Sequence, residues 1–480
     1  MTHTIGQKLD LNISYSDEDG CGVAELQAPA DGASLVVVVP GAFPNEQVRA
    51  RIVARSRHHP RMFGQLVEVL QPSPSRRDPP CTAHSAAGGR CDGCALMALS
   101  PPAQRQVHLQ RLRSLGLTVE RIEFLDDPLS EDGGALSYRH AAKRLAFADG
   151  RGRLRLGSWR RGGTGCAPMA GCLVDHPKIR STFEHIEKVA GALGVSPGRS
   201  AQEGGGGDLC AVWAMTDGDA VLVSLLVRGE DSTAARELPV LVPGVDGWAR
   251  AIAGQGNDLR GGDWQPLRGL QALPLAVDGA NAPGAEPLPA GLAATAASGT
   301  EPGAALTISV PNGAFLQPNP VMARRAWAAL VADYSGAPLP AMDFAVDLFA
   351  GAGATTALLR RIASEVLPVE AAPAAAAALG VPPRRALDAV QALCAEGRTP
   401  ALIVANPPRA GLGPALCDAI VALGPRRLHL MSCNPMTLRQ DLDSLPGYQL
   451  LGLRAFDTLP QTAHVEVVAH LARVEDGFAA

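Results

Sequence analysis

A chain of 480 residues has room for roughly two to four domains, and 46% hydrophobic residues suffice for large buried cores. No uninterrupted run of about eighteen apolar residues occurs, which excludes a membrane-spanning helix, and no basic region followed by an apolar stretch opens the chain, so no secretory signal is expected. The net charge of −4 excludes nucleic-acid binding through overall charge, so any phosphate contact must come from local basic tracts.

From the N-terminus, residues 7–70 read as short strands: LDLNISY, GVAELQA, ASLVVVVPGA, VRARIVARS and FGQLVEVL, broken by Gly and Pro. Strands at this spacing predict a small OB-like β-barrel over residues 1–72. Within it, residues 48–61 carry five Arg and no acid; residues 139–161 carry eight Lys or Arg and one acid, Asp149. Such tracts suit phosphate contacts, although a merely solvated face is the plainer account of any one of them. PSPSRRDPPC (72–81) reads as an exit linker, and Cys81, Cys91 and Cys94 follow within fourteen residues. In a chain without an export signal the cysteines are expected to be reduced, in a cytoplasmic setting, so this grouping suggests a metal or cluster site. A fourth thiolate would come from Cys166 or Cys172; four thiolates suit either zinc or an iron–sulfur cluster.

Residues 101–117 have helical apolar spacing, and AVLVSLLVRG (220–229) reads as a strand of a central α+β domain spanning 73–305. Residues 271–305, rich in Ala, Gly and Pro and without Lys or Arg, read as a flexible linker ending that domain. From 306 to 480, FAVDLFA, SEVLPVE, ALIVANPP and RRLHLMSC are apolar runs followed by turns, which predicts a C-terminal α/β domain with a parallel sheet covered by helices.

The segment VDLFAGAGATTALLRRIA (346–363) runs strand, glycine turn, helix. Gly351 and Gly353 let the backbone approach a ligand closely, and Glu370, ending the next strand, is placed for a ribose diol. Thr356 stands where a dinucleotide site has its third glycine. The pattern therefore looks like the S-adenosylmethionine site of class I, Rossmann-like methyltransferases. ANPPRAGL (405–412) and MSCNP (431–435) end the following strands, so Cys433 reaches the same pocket rim. Glu466, in PQTAHVEVVAHLAR, is a candidate general base. A thiolate and a base together suit methylation at carbon-5 of uracil. Addition of the thiolate to carbon-6 makes carbon-5 nucleophilic, carbon-5 then attacks the sulfonium methyl group, and a base must remove the carbon-5 proton before the thiol can leave.

FLQPN (315–319), DLFAGAGATT (347–356), NPPRAG (406–411), SCNP (432–435) and HVE (464–466) occur in the order found in bacterial RNA uracil-5-methyltransferases, which the chain resembles over most of its length. The resemblance implies Cys433 as nucleophile and Glu466 as base. Gln317, Phe349, Glu370 and Asp388 would line the cofactor site, and Asn406, where the family usually has Asp, would contact the base or the cofactor. It also implies that the N-terminal barrel is a TRAM domain binding RNA and that Cys81, Cys91, Cys94 and Cys172 hold a [4Fe-4S] cluster. Together these features point to the 23S ribosomal RNA branch and to rRNA rather than tRNA. The predicted domains suffice for a monomer. Two other readings stand beside this one. Asn406-Pro407-Pro408 resembles the signature of amino-group methyltransferases, with Arg409 in place of the aromatic; Asn406 and Ala354 would also suit a non-catalytic RNA-binding relative.

Overall fold

The computed structural model describes residues 4–27, 34–119, 122–124, 136–160, 165–198, 207–254, 263–278 and 306–474. Strands β1 (Lys8–Asn12), β2 (Tyr15–Ser16), β3 (Gly22–Gln27), β4 (Ser34–Val39), β5 (Gln47–Arg55) and β6 (Arg61–Gln71) form one sheet in the order β1-β5-β6-β4-β3-β2. Successive side chains of a strand point to opposite faces. Val48, Ala50 and Ile52 of β5 therefore enter a core with Leu11, Val37, Val39 and Met62, while Arg51 faces out. Arg49 is already partnered, by Asp10 at 2.7 Å and Glu68 at 3.3 Å. The segment after β6 is pinned rather than loose. Arg76 forks onto the buried Glu46 with bonds of 2.6 and 2.8 Å, a bidentate charge-assisted pair that fixes where the chain leaves the sheet.

Helix α1 (Pro101–Ser114) begins with two prolines, whose missing N–H groups cost nothing in a first turn. Its Leu112, with Leu117 and Ile122, packs into the core of the C-terminal sheet, and strand β7 (Ile122–Glu123) pairs with that sheet's edge. The central sheet is built from β8 (Ala141–Ala148), β9 (Leu154–Trp159), β10 (Cys166–Pro168), β11 (Leu209–Thr216), β12 (Val221–Val227), β13 (Gly247–Ile252) and β14 (Gln265–Gly269), in the order β10-β9-β8-β11-β12-β13-β14. Helices α2 (Pro177–Ala192) and α3 (Thr233–Leu241) cover one face, burying Phe183, Ile186 and Leu238 against it.

Residues 272–276 are not a linker. Strand β15 (Ala272–Ala276) pairs antiparallel with β16 (Thr307–Pro311), because Leu273 and Leu275 alternate inward against Val310 and the apolar core on one face of the C-terminal sheet. The remainder of the expected linker, 279–305, lies outside the described residues.

The C-terminal sheet follows: α4 (Pro320–Leu330), β17 (Met342–Leu348), α5 (Ala354–Leu359), β18 (Ala363–Val369), α6 (Pro373–Leu379), α7 (Ala386–Ala395), β19 (Leu402–Ala405), α8 (Pro414–Leu423), β20 (Arg427–Ser432), α9 (Pro435–Asp443), β21 (Tyr448–Phe456) and β22 (Glu466–Arg473). The strand order is β18-β17-β19-β20-β22-β21-β7. In β19, Leu402 and Val404 face the core under α4 and α5, whereas Ile403 and Ala405 face the core under α7 and α8. Burial on both faces is why this strand reads as an unbroken apolar run. The sheet departs from the expected parallel arrangement in one strand, β22, which pairs antiparallel with both β20 and β21. The short connection from β21 to β22 is the physical reason, since a parallel return needs a crossover of a dozen or more residues. Among the described residues no helix is long and apolar enough to cross a membrane.

A buried histidine pair locks α4 to this sheet. His429 and His470 are cross-strand neighbours, and their rings meet edge to face at 4.5 Å. Nδ1 of His429 donates to the Leu330 carbonyl at 2.8 Å, and Nε2 of His470 donates to the Ala329 carbonyl at 2.9 Å. Burial lowers the pKa of both, to about 3 for His429, so both rings are neutral when folded. The unfolded chain binds these protons from about pH 6.5 downward. Their contribution is therefore fully present above that pH and is lost as the pH falls from 6.5 toward 3. His429→Asn retains a donor but does not titrate. Unfolding midpoints measured from pH 7 to 4 should fall less steeply in this variant, by on the order of 3 kcal/mol over the range; equal slopes would refute the assignment.

Candidate active site

Leu348 ends β17, and Phe349 then takes φ 61°, a left-handed conformation costing a non-glycine residue about 1–3 kcal/mol. This turn, continued by Gly351 (φ 56°) and Gly353 (φ 93°), brings the backbone round beneath a cavity of about 1440 Å³. The φ of Gly353 lies where a Cβ is strained whatever the space around it, and the Leu379 side chain of α6 occupies the room a Cβ would take. Glu370, just past β18, ties the turn down: its Oε2 accepts from the Gly351 N–H at 2.9 Å and its Oε1 from the Ala372 N–H at 2.7 Å. Each carboxylate oxygen has a second lone pair, so acceptor capacity for a diol is retained. Below the turn, the buried Asp347 accepts hydroxyl bonds from Thr355 at 2.7 Å and from Thr356, and burial raises its pKa to about 6. Thr356 thus holds the first turn of α5 in place of a third glycine, a role the motif alone did not reveal.

Gln317, Phe349, Gly351, Glu370, Asn406, Cys433 and Glu466 all line this one cavity. Two expected cofactor residues do not. Gly353 lies behind the turn as the N-cap of α5. Asp388 sits in the first turn of α7, in a solvent-exposed ion pair with Arg385 at 2.7 Å, because an arginine three residues earlier captures it. The apolar wall is made instead by Ala372, Pro373, Ala374 and Ala375.

Cys433 follows β20, and Glu466 opens β22. The register Ser432↔Val467, continued by one residue, sets Cys433 opposite Glu466. The antiparallel run of β22 produces this pairing, since it brings the start of one strand beside the end of the other. Glu466 is 8% exposed, its buried Oε2 has no hydrogen-bond partner among the described residues, and burial pushes its pKa up to about 7. Burial, and next the Glu466 charge, raise the Cys433 thiol above its ordinary value. Arg409 opposes both shifts, being the cation that favours the ionised forms of Cys433 and Glu466. It also lines the cavity, and its carbonyl accepts from Asn434 Nδ2 and Thr437 Oγ1, each at 3.2 Å, which joins the NPPRAG and SCNP loops. Arg409 was visible in the motif, but nothing in the sequence gave it a role. His464 lines the same cavity, and its backbone N–H donates to Thr462 Oγ1 at 3.2 Å.

A second cavity, of about 260 Å³, lies between the segment 81–94 and the central sheet. Cys81, Cys91, Cys94 and Cys172 line it together with Arg139 and Lys143, and all four thiols are free of disulfides. Cys166, on β10, does not reach it. Among the described residues no group of three or more His, Cys, Asp or Glu side chains is set to hold a metal ion.

The sequence profile of the tRNA (uracil-5-)-methyltransferase family matches residues 384–474. An uncharacterized RNA methyltransferase of Geobacter sulfurreducens is 27% identical over 98% of this chain and 90% of its own length. The 23S rRNA (uracil(747)-C(5))-methyltransferase RlmC of Salmonella enteritidis is 38% identical, over 33% of this chain and 44% of its own length. In fold, the chain is similar to the Pyrococcus abyssi tRNA (uracil-54, C5)-methyltransferase solved with S-adenosyl-L-homocysteine. The TM-score is 0.68 at 17% identity, covering 96% of this chain and 99% of that one. The fold likeness covers 96% of the chain, and the family profile matches the segment that carries Cys433 and Glu466; in sequence and in fold the chain is similar to RNA (uracil-5-)-methyltransferases.

Proposed function

We propose that the chain methylates carbon-5 of a uridine in 23S ribosomal RNA through a covalent adduct on Cys433. The observation that carries this is the placement of Cys433 opposite Glu466 on the rim of the cavity that the glycine turn enters. Gln317, Phe349, Gly351 and Glu370, which line the cavity, would hold the cofactor, which would supply an electrophilic methyl group. The Cys433 thiolate adds to carbon-6 of the uracil, the enolate so formed takes the methyl group at carbon-5 as the sulfonium–methyl bond breaks, and Glu466 then takes the carbon-5 proton as the carbon–sulfur bond to Cys433 breaks and the thiolate leaves. A carboxylate whose pKa lies near neutrality is well matched to that transfer. Asn406 offers an amide to the imide edge of the base. The rRNA assignment is supported by the RlmC likeness.

RNA bearing 5-fluorouridine tests the reading, because fluorine at carbon-5 cannot leave as a proton. Incubation with cofactor should give a protein–RNA complex that survives a denaturing gel. An amino-group methyltransferase or a non-catalytic relative would give none.

We further propose that the N-terminal sheet is a TRAM-type RNA-binding domain (1–72), that residues 73–305 form a central domain, and that 306–480 is the catalytic domain. Its outward Arg51 and Arg55, exposed and basic, suit phosphate contact. In the central domain, Cys81, Cys91, Cys94 and Cys172 are the ligands we assign to a [4Fe-4S] cluster. Four thiols around one small cavity supply the right donors. Zinc would accept the same four thiolates, so the metal content decides between the two. Protein purified without oxygen should contain iron and labile sulfide, and Cys94→Ser should lose both and unfold at lower temperature. One zinc per chain and no iron would overturn the assignment.

A further inference from the structure

Part of the catalytic cavity is walled by the central sheet, not by the methyltransferase domain. The loop between β16 and α4, residues 312–319, carries Phe315 and Gln317 into that cavity. This loop is tied to the central sheet at three points. Asn312 is buried, accepts from the Ser224 hydroxyl and donates from Nδ2 to the Val223 carbonyl at 3.3 Å. Gly313 has φ 80°, and a Cβ there would lie 2.5 Å from each of Cγ, Cδ1 and Cδ2 of Trp264, so the indole ring lies against the glycine. Farther along, the His140 N–H donates to the Pro318 carbonyl at 2.6 Å. Trp264 is braced in turn: Trp213 meets it edge to face at 5.0 Å, and the Lys143 ammonium lies 4.1 Å from the Trp213 ring.

These contacts converge on a stretch with no regular structure of its own. The turn at Gly313 is closed by its own hydrogen bond, from the Ala314 N–H to the Pro311 carbonyl at 3.0 Å, so what the lateral contacts fix is where that turn and the residues after it sit. We infer that Trp264 and Asn312 are positioning residues: the central sheet uses them to hold the Phe315–Gln317 loop in the geometry that binds the cofactor. Neither side chain reacts. Each acts through the loop, so the central domain shapes the cofactor site in addition to any contact it makes with RNA. The inference rests on the reading of this cavity as the cofactor site.

The test is equilibrium binding of S-adenosyl-L-homocysteine to the full-length protein, measured by calorimetry. Trp264→Ala should weaken binding about tenfold, with Trp264→Phe restoring most of it, since a flat ring suffices to cover Gly313. In a Gln317→Ala background the Trp264→Ala change should add little, because groups acting through one contact are not additive. Asn312→Ala, which leaves the indole in place, should weaken binding in the same direction, and serves where Trp264→Ala does not fold. Unchanged affinity in folded Trp264→Ala and Asn312→Ala, or losses that simply add to that of Gln317→Ala, would overturn the inference alone. Wild-type protein that binds no cofactor would overturn the site reading, and the inference with it.

Discussion

Cys433→Ala should yield neither methylated RNA nor a trapped complex with 5-fluorouridine RNA. Loss of a covalent nucleophile typically lowers turnover on the order of 10⁶-fold, which places product formation below detection. The chain should still fold, because Cys433 is only half-buried and follows its strand rather than filling a core. It should also still bind S-adenosyl-L-homocysteine, since the turn of Phe349, Gly351 and Glu370 is built without the thiol. Denaturing gels of labelled RNA, with calorimetry as the folding control, decide the matter. A trapped complex in Cys433→Ala would move the nucleophile elsewhere. Cys417 could not take over without rearrangement, as it is wholly buried in the core under α8.

Glu466→Gln should behave differently, accumulating a methylated covalent protein–RNA complex on ordinary RNA. The substitution keeps the shape of the side chain and removes its charge. Glu466 raises the Cys433 thiol pKa, so its neutralisation favours the thiolate and leaves the addition step unimpaired. Release of product then fails, because the carbon-5 proton has no base to accept it. Removal of a general base costs about two to four orders of magnitude, enough for the complex to persist through electrophoresis. In wild type, the carboxyl with its pKa near 7 must be ionised to act as base. Turnover should therefore fall as the pH drops through about 7, and that limb should be absent from the residual release by the Gln variant. A Gln variant that turns over at the wild-type rate would show that Glu466 is not the base.

The sequence by itself determined the elements that local chemistry specifies. Apolar runs closed by turn residues marked β17 through β20, because strands buried on both faces have no polar side to interrupt the run. Glycines at 351 and 353 marked the turn, and the five ordered motifs named Cys433 and Glu466, which the fold brings to one cavity. Spacing also brought Cys81, Cys91 and Cys94 together, and the chain does gather them with Cys172 at one cavity.

What the sequence left open is set by distances between segments far apart in the chain. Asp388 looked suited to the cofactor, yet a local ion pair with Arg385 holds it at the surface. The start of the Ala- and Pro-rich segment from 271 looked structureless, but two leucines of β15 find a partner in β16, across residues the sequence could not pair in advance. The reversal of β22 is decided by the short link after β21, and that reversal alone sets Glu466 against Cys433. Burial did the rest. A carboxylate has its ordinary pKa in any sequence, and only packing that removes water and leaves Oε2 without a partner lifts Glu466 to about 7. The same holds for Trp264, whose ring lies against the bare Gly313 of a segment far along the chain, a contact no spacing announces.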